Sequence, residues 1–108
     1  MNVDIAADFS PTPGGRYSKH GPYSGQEFRE KVLLPRMKDA LERRMDLNVV
    51  IDTVRRSYQV SFLDEAFAGL IRDGGLPKDA VQKHLHIISS NPRFEKYRTL
   101  IQKYISSV

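Results

Sequence analysis

Cysteine and tryptophan are both absent from this sequence. Without thiols there is no disulfide framework and no thiolate metal site, so apolar burial must hold the core, and the lack agrees with a reducing compartment. No apolar run approaches the ~20 residues needed to span a bilayer. The start, Met1 to Phe9, carries Asp4 and Asp8 and no basic run, unlike a signal peptide or membrane anchor. A cytoplasmic protein is expected. The motifs of common catalysts are missing too: there is no Gly-x-Ser-x-Gly elbow, no His-Glu-x-x-His helix, and neither glycine-rich nucleotide fingerprint. No enzymatic activity, cofactor or metal is expected.

What is present fits one domain over residues 1–108, with 40% apolar and 28% charged residues, far from the composition of a disordered chain. The net charge of +4 favours acidic partners, but the basic residues are dispersed from Arg29 to Lys103. That dispersal reads as a solvated surface before it reads as a nucleic-acid stripe.

The apolar pattern is that of an α/β domain. Val3, Ile5, Ala7 and Phe9 alternate with polar or small residues and predict a first strand over 2–9. Residues 10–23, rich in proline, glycine and serine, predict a loop, with Arg16 and Tyr17 able to pair as a short strand. Ser24 and Glu27 have the spacing of a capping box. The helix they open carries a stripe of Phe28, Val32, Met37, Ala40, Leu41 and Met45, with a bend expected at Pro35. The β-branched run Leu47 to Val54 predicts a central strand covered on both faces. A second helix is expected to start at Ser61 and to stop at Gly74-Gly75. A short helical turn from Pro77 to Gln82 follows, then a strand marked by Leu85, Ile87 and Ile88. Asn91-Pro92 opens a last helix with the stripe Phe94, Tyr97, Leu100, Ile101, Tyr104 and Ile105. The alternation predicts a small parallel or mixed sheet with helices packed against it.

Candidate sites are few. Arg16 and Tyr17 are residue types favoured at binding hot spots, in a loop that otherwise reads as turn formation. Asp64 and Glu65 are adjacent, so on a helix they diverge by about 100° and cannot flank one reacting atom. They suit a helix start or an interface. His84 and His86 stand two apart on an expected strand and face one way, but no third ligand completes a metal site.

Three segments read together resemble a known family: Gly15-Arg16-Tyr17 with Gly21, then Ser24-Gly25 with Glu27-Phe28-Arg29 and Leu33-Leu34-Pro35, then Ser61-Phe62-Leu63-Asp64-Glu65-Ala66-Phe67 with Gly69-Leu70. They are similar to the STAS-like domains of bacterial and phage-borne proteins, relatives by fold of sulfate-transporter and anti-sigma-factor-antagonist domains. Ala68 departs from the pattern, where a second glycine is expected. The resemblance implies helices on a small sheet and a regulatory surface at the start of the second helix. In the antagonists a serine there is phosphorylated by a partner kinase, and Ser61 is the matching position, though Val60-Ser61-Phe62-Leu63 is not their Asp-Ser-Ser-Gly. Ser61 therefore has two readings, a plain helix cap and a phosphorylation switch.

The leading expectation is a regulatory module that binds a protein, of the class of ATP-binding kinase-like regulators, through Arg16, Tyr17, Ser61, Phe62, Asp64 and Glu65. The second is a nucleic-acid-associated accessory protein of a phage or defence system, motivated by the positive charge and the Arg55-Arg56 pair. Self-association through a strand edge or the last helix is the third.

Overall fold

Three short strands lie side by side in chain order, all parallel: β1 (Asn2–Asp4), β2 (Leu47–Val50) and β3 (Leu85–Ile88). The computed structural model describes residues 1–108. In the register, Val3, Val49 and Ile87 line up on one face, and Asn2, Asn48 and His86 line up on the other. The first row is buried and the second is not. Helices therefore cover one face of the sheet, whereas the β-branched run predicted cover on both. The strand is also shorter than the run, because the chain turns away after Val50 and Ile51 is buried beyond the strand end.

The first strand is cut short for a local reason. Asp4 takes the cap position of a one-turn helix, α1 (Ile5–Asp8), its carboxylate accepting the Ala7 amide, while the Asp4 amide donates to the Asp8 carboxylate. These side-chain bonds outcompete the two-residue alternation that predicted a strand to residue 9. Arg16 and Tyr17 form no strand.

The helices are α2 (25–42), α3 (60–72), α4 (Lys78–His84) and α5 (Glu95–Ser106). Ser24 caps α2, accepting the Glu27 amide at 3.0 Å, and the Glu27 carboxylate reaches back to the Tyr23 amide at 3.3 Å. The glutamate thus serves the residue before the cap. Pro35 does not break α2, which runs on through it; the irregularity is a wide turn over Arg29–Leu33 just ahead of the proline. Arg44, at φ 55°, follows the end of the helix, so Met45 lies past the apolar stripe and is exposed. Helix α3 ends as expected: Gly75, at φ 72°, takes the left-handed position, and the Gly75 and Leu76 amides donate to the carbonyls of Ile71 and Leu70. Asn91 caps the turn that leads into α5, accepting the Arg93 amide at 3.0 Å.

Apolar residues of all three strands and of α2 to α5 merge into one cluster. At its centre the Phe28 ring of α2 stacks on Phe62 of α3, with centroids 6.0 Å apart, and Tyr58 packs against Phe62 and Tyr97. The Tyr58 hydroxyl donates to the Ile51 carbonyl at 2.6 Å. Burial first, then the charges of Asp52 and Asp4, push that phenol far above its ordinary range, so it stays a donor at any working pH.

Helices α2 and α3 touch at Gly25. A Cβ there would sit 2.5 Å from the Phe62 carbonyl oxygen and 3.1 Å from the Glu65 Cβ. Gly25→Ala should accordingly destabilise the fold by about 1–3 kcal/mol, overriding the ~0.5–1 kcal/mol that alanine gains in helix propensity. A lower urea midpoint at unchanged m-value is the expected readout.

Candidate functional site

Both long helices carry the same irregularity, and they carry it where they meet. In α2 the Leu34 amide bonds to the Arg29 carbonyl, and in α3 the Gly69 amide bonds to the Asp64 carbonyl, five residues back in each case. Such π turns are rare and recur at functional sites because the extra residue re-aims the side chains around it. Arg29 opens the first turn; Asp64 and Glu65 open the second.

The two turns meet through a buried ion pair. Arg29 donates to a Glu65 carboxylate oxygen at 2.6 Å and to the Glu65 carbonyl at 2.7 Å. Only 7% of the Arg29 side chain and 5% of that of Glu65 is exposed, so neither charge is compensated by water. The guanidinium fits because position 69 is glycine, where any Cβ would overlap Arg29. Around the pair, Arg16 donates to Asp64 at 2.8 Å and to the second Glu65 oxygen at 3.2 Å. Arg72 lies 3.5 Å from Asp64 and 3.7 Å from Glu65, and Asp73 lies 3.6 Å from Arg29. The hydrogen bond to Asp64, aided by Glu65 and opposed by burial, raises the Arg16 pKa above its ordinary value. Arg16, Arg29 and Arg72 balance Asp64, Glu65 and Asp73. With Tyr17 and Gln26 these residues line an open depression of ≈ 570 Å³.

Several expected site residues are thus brought together. Arg16 is joined to Asp64 and Glu65 across the fold, and Tyr17 stands beside them 39% exposed. Two readings need correction. Phe62 is fully buried in the aromatic stack, because its position in the helix faces Phe28, so it offers no surface to a partner. Ser61 is not the cap: Gln59 holds the cap position and α3 begins at Val60. Ser61 sits half-buried inside the first turn. Glu65 is buried as well, and reaches the depression only through its carboxylate edge. The glycine-rich loop is a turn that packs on the start of α2, with the Gly25 and Gln26 amides donating to the Gly15 and Arg16 carbonyls at 2.8 and 3.0 Å.

Sequence reasoning missed Arg29, Arg72 and Asp73. Arg29 had two signals, its place in the Glu27-Phe28-Arg29 segment of the resemblance and its apolar company of Phe28, Val32 and Leu33, and neither gave it a role. His84 belongs to the end of α4 and only His86 to a strand, yet both reach Asp46, at 2.9 and 3.1 Å. The hydrogen bonds from His84 and then His86 hold the Asp46 carboxyl below its ordinary value.

The sequence model described as STAS-like domain of unknown function (DUF4325) matches residues 24–93. The chain belongs to that family. No curated protein and no solved structure matches it. The matched span begins at the Ser24 cap and holds both partners of the buried pair and both π turns, so the family segment contains the core of this site. It is narrower than the resemblance read from the sequence, since Gly15, Arg16 and Tyr17 precede it. No helix is long and apolar enough to cross a membrane.

Glu65→Leu takes from Arg29 its one buried carboxylate, leaving the partly exposed Asp73 at 3.6 Å, and is expected to cost about 3 kcal/mol, whereas adding Arg29→Met should restore most of the loss. A double-mutant cycle read by urea denaturation measures it. For Asp46 the folded-state pKa is depressed, so its contribution is complete above about pH 4 and is lost as the pH falls through the lower folded value. Asp46→Asn should flatten the acid limb of a stability profile and leave the neutral region nearly level.

Proposed function

We propose that this STAS-like domain is a regulatory module that works by binding a protein, and that it is not a catalyst. The recognition face is the Arg16-Tyr17 loop together with the first turns of α3. The observation that carries this reading is the clamp of Arg16 on Asp64 and Glu65, which fixes the loop against the helix start. Tyr17, Tyr23 and Val60, at 39%, 44% and 53% exposure, are large apolar side chains displayed on those same two segments. Tyr17 borders the balanced arginine–carboxylate network, and an exposed aromatic beside such a network has the make-up of a hot spot with a polar rim.

Ser61 gives the face a means of control. Its hydroxyl makes no hydrogen bond within the chain, and it lies one helical turn before Asp64 and Glu65. A phosphate on it would compete with Asp64 for Arg16 and release the loop, while meeting the free amides of the first turn. The partner class implied by the better-understood relatives is an ATP-binding kinase-like regulator, which would both bind this face and modify Ser61.

Tyr17→Ala and Arg16→Ala should leave the circular dichroism spectrum unchanged and reduce recovery of the partner co-purified from the native cell by at least tenfold. Ser61→Asp should act in the same direction, with intact mass of the native protein showing a phosphorylated fraction. Undiminished recovery with all three variants sinks the reading.

A further inference from the structure

In a parallel sheet with helical crossovers, the loops after the strands gather at one end. Here the segments after β2 and β3 border a cleft of ≈ 530 Å³, within the size range of small-molecule sites. Its lining includes Arg55 and Arg56 from the first segment and Arg93 and Lys96 from the turn leading into α5. All four are exposed, and none makes an ion pair. Around the Glu65 depression, by contrast, every arginine is neutralised by a carboxylate.

The one acid of the cleft does not offset these charges at short range. The Asp52 carboxylate accepts the Ser90 amide at 2.8 Å and the Asn91 amide at 3.0 Å, with the Ser90 hydroxyl at 3.3 Å. Asp52 thereby ties the loop after β2 to the loop after β3. Arg56 is steadied as well, donating to the Thr12 carbonyl at 3.0 Å, and the Arg55 amide donates to the Pro11 carbonyl at 2.7 Å. The backbone of the cleft is thus organised before any ligand arrives, while its cations have no anion to meet.

We propose that this cleft binds the polyphosphate chain of a small molecule, separately from the protein-binding face. Three guanidinium groups and one ammonium around a single concavity match a string of linked phosphates better than they match a lone carboxylate, because guanidinium forks take phosphate oxygens in pairs. Either a nucleoside polyphosphate or a free inorganic chain supplies that chemistry. A strand of nucleic acid is the less suited ligand: Tyr97 is buried with the Lys96 ammonium over its ring, and the half-buried Phe94, in contact with Tyr58 and Tyr97, leaves a single partial aromatic surface where successive bases need several.

Calorimetric titration of the full chain at low ionic strength tests the proposal with inorganic tripolyphosphate, ATP, adenosine and a short single-stranded oligonucleotide. Saturable binding of tripolyphosphate and ATP is expected, with none of adenosine. Arg55→Gln and Arg93→Gln should each weaken it about tenfold, and Lys103→Gln, an exposed cation outside the cleft, should leave it unchanged. ATP binding more tightly than tripolyphosphate makes a nucleotide the ligand; equal affinity makes the phosphate chain itself sufficient. The proposal is overturned if neither phosphate compound saturates, if Lys103→Gln weakens binding as much as the cleft variants, or if the oligonucleotide binds more tightly than both.

Discussion

One contact in the interior, Arg29 on Glu65, decides how the two long helices of this domain can meet. A guanidinium and a carboxylate removed from water are each costly, and they are tolerable together because the pair is close, hydrogen-bonded at 2.6 Å, and joined to the Glu65 backbone carbonyl as well. Everything near the contact conforms to that need. Position 69 is glycine because the guanidinium occupies the space of its side chain. Position 25, on the same helix contact, is glycine because the Phe62 backbone lies against it. Each helix also widens by one residue at the pair, which lets charged side chains point inward at a place where an unbroken apolar stripe would otherwise run.

The same carboxylate then sets the surface. One Glu65 oxygen is engaged by Arg29, and the other receives Arg16 from the loop and faces Arg72. The loop, already held on the start of α2 by backbone hydrogen bonds, is thereby tied also to a carboxylate more than forty residues away in sequence. The inner pair tolerates few intermediate arrangements, whereas Arg16, Arg72, Asp64 and Asp73 around it are partly exposed, and Asp64 has both Arg16 and Arg72 within reach. The rigid part of the site is thus its buried centre, and its rim is the part whose charge balance can be changed.

Most of the architecture is legible in the sequence because it follows from local rules. The Ser24 cap, the Gly74-Gly75 stop, the Asn91-Pro92 opening and the apolar stripe of the last helix all stand where spacing and turn chemistry put them. The misreadings arise where a short-range competitor or a long-range partner intervenes. Asp4 and Asp8 convert an alternating segment into a helical turn, and nothing in a two-residue period registers a side chain bonding to its own backbone. The β-branched richness of Leu47 to Val54 describes burial without saying from which side, so the open face of the sheet was not foreseen. Ser61 and Phe62 were read together as surface, but adjacent helix positions point in different directions, and Phe62 is the one the core takes. The role of Arg29 was hidden for the opposite reason: its partner is 36 residues away, and a basic residue on an amphipathic helix looks solvated until that partner is seen.

The arrangement of charge gives the domain two distinct ends. Around Glu65, arginines and carboxylates cancel; beyond the strand ends, arginines stand unopposed. The first loop touches both. Its early residues Pro11 and Thr12 accept hydrogen bonds from Arg55 and Arg56, and a few residues later Arg16 grips Asp64 and Glu65. If the proposed anion shifts the Arg56 side chain off the Thr12 carbonyl, the segment whose far end presents Tyr17 loses one tether, and the two proposed sites would be coupled through the loop. By linkage the reverse also holds, and a partner that fixes Tyr17 would alter anion affinity by the same factor. A short loop anchored twice, once on each charge environment, is the part of this fold through which the two proposed sites would communicate.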